Sequence, residues 1–260
     1  MRSNQPRRVN WFIHEYRKMK IKIISAYNEG YEDIGSLSAK SIALYSIAHG
    51  YDYEIFKLEN FDRPAAWSKI YYLMQEIQKK THDYLFWVDA DACFIRSDAD
   101  IADETISQKD IYLVNHLCTR RPDKNERGLH VQSEIPNCGT MLIKSTDWSS
   151  RFLKLVWDDI DYLHHVWWEQ AVFHKLMGYH YEISHGQFKN VPNEQVMSHF
   201  GWLNGIWNCV PTSSQGDMGV PITVNPHNPA ILHFAGMKNS IRIEEMRKLK
   251  MDTTPLYKIK

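Results

Sequence analysis

The segment Tyr84–Val88 reads YLFWV and runs directly into Asp89. Apolar residues at every position, rather than at every second one, describe a strand covered on both faces. Such a strand needs helices above and below it, and the rest of the chain has the pattern to supply them. Short apolar runs at Lys20–Ala26, Ile111–Asn115, Thr140–Ile143 and Ala230–Phe234 alternate with stretches of helical period at Ser36–His49, Asp147–Trp157 and Trp167–Met177. Gly50 stands where a helix would close. Trp67, Ile70, Tyr71, Met74 and Ile77 recur at helical spacing and predict one buried helix face. Alternation of this kind gives an α/β fold, a mostly parallel central sheet flanked by helices.

With 260 residues, 43% hydrophobic and 13% aromatic, the chain can bury one large core, and single α/β domains reach roughly 200–250 residues. We expect one domain over residues 20–260, preceded by a basic extension over 1–19. The extension carries Trp11, Phe12 and Ile13 but no continuous apolar stretch or small-residue cleavage site of a secretory signal. Its two readings are a terminal segment packing a few aromatics and a membrane-surface or partner-binding element. Lys plus Arg equals Asp plus Glu at 31 each, so no global field favours nucleic acid or an anionic membrane. No apolar run approaches the ~18 residues of a transmembrane helix. Cys93, Cys118, Cys138 and Cys209 are dispersed with no C-x-x-C pair. They read as reduced, mostly buried thiols, which favours a cytoplasmic protein.

Asp89-Ala90-Asp91 closes the YLFWV strand. Asp-x-Asp pairs also occur at Asp98/Asp100 and Asp159/Asp161, so position rather than pattern carries the information. Open α/β sheets bind ligands at the carboxyl ends of their central strands. Two carboxylates there are costly to desolvate unless a cation pairs with them. A hard divalent ion, Mn²⁺ or Mg²⁺, takes oxygen ligands and can bridge two phosphates. The competing reading is a solvated turn after a strand. Two stretches look irregular, the charged loop Thr119–Gly128 and the proline- and glycine-rich excursion Cys209–Pro229.

Six segments in chain order then resemble one family: HGYDYEIF (His49–Phe56), WSKI (Trp67–Ile70), FWVDADACF (Phe86–Phe94), NCGTMLIKSTDWS (Asn137–Ser149), WWEQAVF (Trp167–Phe173) and LHFAGMK (Leu232–Lys238). They are similar to the galactosyl/mannosyl/xylosyltransferases of GT-A fold, glycosyltransferase family 34, over roughly residues 21–240. The resemblance implies a retaining transferase that moves a sugar from a UDP- or GDP-sugar to a glycan or glycoconjugate. It implies that Asp89, Asp91 and His233 meet the metal. Gly236 would let the backbone approach phosphate, and Lys238 would neutralise the diphosphate. Ala26, Tyr27, Asn28 and Ala90 would line the nucleotide site, Lys69 would face the donor, and Asn137 and Gly139 would contact its sugar. Gln170 and Glu169 would do the chemistry beside the anomeric carbon, where oxocarbenium-like charge develops. Where the family often shows Asp-Asp-Gln, this chain has Trp168-Glu169-Gln170.

The residues leave room for bland readings of each piece. His233 could be a core histidine, Glu169 an acidic residue at a helix N-terminus, and Asn137-Cys138-Gly139 a turn opening a strand. In HFGWLNGIW (His199–Trp207), Gly201 and Trp202 are the acceptor candidates, with core packing as the alternative. Two other functions stay open, a sugar-nucleotide nucleotidyltransferase and a non-catalytic carbohydrate-binding protein. The first should show a glycine-rich basic loop after the first strand, and SAYNEG is a poor version of it. Intact Asp89, Asp91, His233 and Lys238 argue against the second.

Overall fold

The computed structural model describes residues 19–120, 131–182, 187–211 and 228–249. The basic extension and most of the Thr119–Gly128 and Cys209–Pro229 stretches lie outside them. In chain order the elements are β1 (Ile21–Asn28), α1 (Glu32–His49), β2 (Asp52–Leu58), α2 (Ser68–Lys79), β3 (Tyr84–Val88), β4 (Ala92–Phe94), β5 (Ile111–Arg120), β6 (Val131–Lys144), α3 (Asp147–Asp158) and α4 (Trp168–Met177). There follow β7 (Tyr179–Glu182), β8 (Gln187–Asn190), α5 (Glu194–Met197), β9 (Phe200–Trp202), β10 (Ile231–His233) and α6 (Asn239–Lys248).

The main sheet runs β2-β1-β3-β6-β5-β9. β1 is parallel to β2 and β3, and β9 is parallel to β5, whereas β6 opposes both of its neighbours. The sheet is therefore mostly parallel, with one reversed strand inside it. β3 explains its own sequence. Leu85 and Trp87 point into the core beneath α2, α3 and α4, with Ile70, Leu73, Phe152, Val156 and Phe173. Tyr84, Phe86 and Val88 point into the other, with Ile42 and Tyr45 of α1. Both faces of the strand are dry, so apolar residues are required at every position. Burying side chains of this size contributes roughly 1.5–3 kcal/mol each.

α2 buries Ile70, Leu73 and Ile77 but leaves Tyr71 40% exposed. Tyr71 thus lies off the face anticipated for it, because the buried ridge steps by three and four from Ile70. α1 begins at Glu32, earlier than its apolar period suggests, and ends at Gly50 with φ of +67°. α4 ends the same way at Gly178, with φ of +88°.

The strand expected at Ala230–Phe234 forms as β10, but in a separate antiparallel ribbon with β4 rather than in the main sheet. His233 stands opposite Ala92 in that ribbon. The ribbon is fastened to the turn after β3, since the amide of Phe234 donates to the Asp91 carbonyl at 2.9 Å. This places the C-terminal part of the chain beside Asp89 and Asp91. The side chains of Cys93, Cys138 and Cys209 are buried, and none of the three is in a disulfide.

Candidate active site

The site is built on a bulge. β6 pairs continuously with β3 up to Thr140 opposite Val88. Against β5 its register jumps, with Met141 opposite Leu113 and Asn137 opposite Val114. Cys138, Gly139 and Thr140 are therefore skipped by the β5 ladder, and bulges of this kind re-aim backbone groups. Freed from that ladder, Gly139 carbonyl accepts the Asp89 amide at 2.8 Å. Cys138 carbonyl accepts Lys69 Nζ at 2.8 Å. Cys138 amide donates to Gln170 Oε1 at 3.0 Å. One irregularity thus ties the end of β3 to α2 and α4.

Asp89, Asp91 and His233 offer ligand atoms that all lie within 4.8 Å of one another. His233 Nε2 is 3.4 Å from Asp91 Oδ1 and 3.9 Å from Asp89 Oδ2. Two carboxylates and an imidazole brought this close, with His233 4% exposed, form a set that a divalent cation fits.

Two buried cations balance the acids. Lys69 lies between Asp89 Oδ1 at 3.0 Å and Glu169 Oε1 at 2.9 Å. With the Cys138 carbonyl, these partners engage its three N–H donors. Burial would lower the Lys69 ammonium, but Asp89 and Glu169 outweigh it and push it above its ordinary value. Glu169 is pushed up, chiefly by burial, with Lys69 opposing. Arg242 Nη2 sits 3.2 Å from Asp91 Oδ2, and Arg242 Nε donates to the Phe234 carbonyl at 3.0 Å. Burial alone would raise the Asp91 carboxyl, yet His233 in its protonated form and Arg242 hold it down at about 2. Trp87 Nε1 donates to Asp89 Oδ1 at 2.6 Å.

The structure brings together Asp89, Asp91, His233, Lys69, Glu169, Gln170, Asn137 and Gly139. Ala26 and Tyr27 are buried at the end of β1 and Asn28 is exposed. Tyr27 packs on Gly35, where an added Cβ would come within 2.3 Å of its ring, and Lys57 Nζ lies 3.9 Å from the ring centroid. Gly139 makes room for His233 itself, because a Cβ there would stand 2.1 Å from its Cε1. Gly236 has φ of +73° with nothing within 4 Å of where a Cβ would be, and Lys238 beyond it is exposed. On the edge strand β9, Gly201 lies against the Tyr112 ring while Trp202 is 42% exposed. Trp207 is core, its Nε1 donating to Glu104 at 2.8 Å.

Sequence reading passed over Arg242, Trp87 and Asn208. Arg242 carried a faint signal, an arginine one helical turn beyond Lys238. Trp168 is the unusual backbone of the site, with φ of +44° and an indole 44% exposed, a conformation rare for a bulky residue.

The galactosyl transferase GMA12/MNN10 family profile matches residues 28–197, well over half of the chain. The chain belongs to that family. It is a glycosyltransferase, and its fold is GT-A. The matched stretch ends before His233, for which the geometry above is the ground. A glycosyltransferase involved in glycosylation of the major capsid of PBCV-1 superposes with a TM-score of 0.59 at 12% identity, covering 88% of this chain and 98% of that one. The galactosyltransferase LgtC, solved with donor and acceptor sugar analogs, gives a TM-score of 0.45 at 14% identity over 88% of this chain and 96% of its own. GlyE of Streptococcus pneumoniae TIGR4 gives a TM-score of 0.45 at 13% identity over 90% and 66%. At 12% identity the likeness to the first of these is one of fold. No curated protein matches the chain. Among the described residues no helix is long and apolar enough to cross a membrane.

Proposed function

We propose that this glycosyltransferase moves a sugar from a UDP- or GDP-sugar to a hydroxyl of a glycan or glycoconjugate, with retention of configuration and with Mn²⁺ or Mg²⁺ held by Asp89, Asp91 and His233. The observation that carries the proposal is the convergence of those three ligand atoms within 4.8 Å at the carboxyl end of β3, where α/β sheets bind their ligands. When bound, the cation would act as a Lewis acid toward the diphosphate.

The remaining roles belong to the chain. Ala26, Tyr27, Asn28 and Ala90 line the nucleotide, Gly236 admits a phosphate to the backbone, and Lys238 supplies a point charge. Lys69 reaches the donor only through Asp89 and Glu169, which occupy it. Glu169 Oε2 is buried with no hydrogen-bond partner among the described residues. A hydroxyl of the donor sugar would satisfy that oxygen, with Asn137 donating to another. Gln170 Oε1, already fixed by the Cys138 amide, keeps a second lone pair to face oxocarbenium-like charge. The bond from the anomeric carbon to phosphate breaks with its electron pair on the phosphate oxygen. The acceptor oxygen bonds to the same face, and its proton passes to the departing phosphate. Trp202, exposed on the edge strand beside Gly201, offers an aromatic face to an acceptor sugar ring. The buried, reduced thiols support a cytoplasmic site of action, which recovery of a secreted or lumenal protein would overturn.

A thermal-shift panel of UDP, GDP and their sugars, with and without Mn²⁺, tests the reading on wild type and Asp91→Ala. A ligand that binds only the folded state raises the midpoint by mass action. A Mn²⁺-dependent rise with one nucleotide family, absent in the variant, is expected. No rise with any donor would overturn the proposal.

A further inference from the structure

Asn208 ends a short 3-10 turn, Gly205–Asn208, and is 1% exposed. Its side chain stands between the bulge and His233, and the hydrogen bonds there leave no freedom of assignment. The Gly139 amide, which can only donate, lies 2.8 Å from Asn137 Oδ1, so the atom facing it is the oxygen. The Asn208 group 2.8 Å from that same oxygen must then be the NH₂. It follows that Asn208 turns Oδ1, an acceptor, to His233 Nδ1 at 2.8 Å. His233 therefore carries a proton on Nδ1. In the neutral ring Nε2 is left with its lone pair, and Nε2 is the nitrogen that faces Asp89 and Asp91.

We infer that Asn208 is the positioning residue of His233, fixing the tautomer and the ring plane in which Nε2 can ligate a cation. This rests on the reading of Asp89, Asp91 and His233 as the cation site. Asn208 is itself held firmly. His116 Nε2 donates to its backbone carbonyl at 2.7 Å, and burial, against that hydrogen bond, lowers the imidazole to about 4. The next residue is knitted to the ribbon, with Cys209 amide donating to Ile231 carbonyl at 3.0 Å and His233 amide to Cys209 carbonyl at 2.8 Å. The tautomer of a ligating histidine is set by the bond its other nitrogen makes. Loss of such a partner typically weakens metal binding 10–100-fold.

The test uses the full chain, two variants of similar size and two readouts. Nitrogen-15 NMR of the cation-free protein above neutral pH reports which His233 nitrogen is protonated, and Mn²⁺ titration calorimetry reports affinity. Asn208→Asp keeps an acceptor for Nδ1–H, and Asn208→Leu removes it. Wild type is expected to show the Nδ1–H form. Asn208→Leu should lose that preference and bind Mn²⁺ about 10–100-fold more weakly, while Asn208→Asp keeps the tautomer and stays within about threefold of wild type. Protonation of wild-type His233 on Nε2, wild-type affinity in Asn208→Leu, or equal losses in both variants would overturn the inference. A wild type showing Nδ1–H but no Mn²⁺ binding would instead sink the cation reading and with it Asn208's part in ligation, leaving the hydrogen-bond assignment intact.

Discussion

Lys69 binds the acids of the candidate site to one another. It is 3% exposed and is the cation shared by Asp89 and Glu169. Breaking a buried ion pair from one side leaves uncompensated charge and typically costs about 3–5 kcal/mol. Lys69→Met is expected to lose that much in urea unfolding of the cation-free protein, and adding Glu169→Gln should restore part of it. A loss below about 1 kcal/mol would show that the acids do not depend on Lys69. Gly139 is a second such position. In Gly139→Ala the new Cβ would stand 2.1 Å from His233 Cε1, so the ring must move. Mn²⁺ affinity should fall at least about 10-fold, as for loss of a ligand's support; an unchanged calorimetric affinity would contradict the arrangement. Asp89 and Asp91 were legible as candidates because they stand at the end of an apolar strand, and His233 through the family resemblance. Arg242 and Asn208 were not, because their contacts join residues distant in sequence, which no periodicity records; Trp87 was read only as core, although its Nε1 bonds Asp89 two residues on.

Elements with dry faces were the readable ones. β3, α2, α3 and α4 announce themselves by continuous or helically spaced apolar residues. β2 is a half-exposed edge strand, DYEIFKL, whose charges mask its period. β4 and β9 have three residues each, too few for any pattern. The reversal of β6 and its bulge were hidden as well, since strand direction is set by the connection and by pairing rather than by composition. The helix-closing Gly50 was legible and Gly178 was not, and two left-handed glycines make a comparative prediction. Gly178 and Gly236 both have positive φ, but a Cβ at Gly178 would lie 2.0 Å from the Val191 carbonyl oxygen, whereas at Gly236 it would meet nothing within 4 Å. Gly236→Ala should cost about 1–2 kcal/mol, the left-handed strain alone. Gly178→Ala, which must also move a backbone, should cost clearly more in denaturant unfolding. Equal losses would mean that α4 relaxes freely at its end.

Across the whole molecule, acid sensitivity follows from two buried imidazoles. Burial, against the hydrogen bonds they donate, lowers His116 and His174 to about 4. Unfolded, each would titrate near 6.5. Between these values the unfolded chain binds more protons than the folded one, so stability rises with pH and is lost as pH falls from about 6.5 toward about 4. The loss is on the order of 3 kcal/mol for each histidine. His174→Gln should flatten the dependence seen in urea titrations across that window, and a slope as steep as wild type would rule His174 out as a contributor. The ribbon of β4 and β10 has another consequence at this scale. Its strands are three residues long and stand outside the main sheet. They can open while the sheet stays closed, and amides in such units exchange with solvent at less than the global free energy. A cation shared between Asp89, Asp91 and His233 would have to be released for that opening to occur. The exchange rates of the Leu232 and His233 amides should therefore slow in proportion to cation concentration, while those of Leu85 and Phe86 in β3 stay as they were.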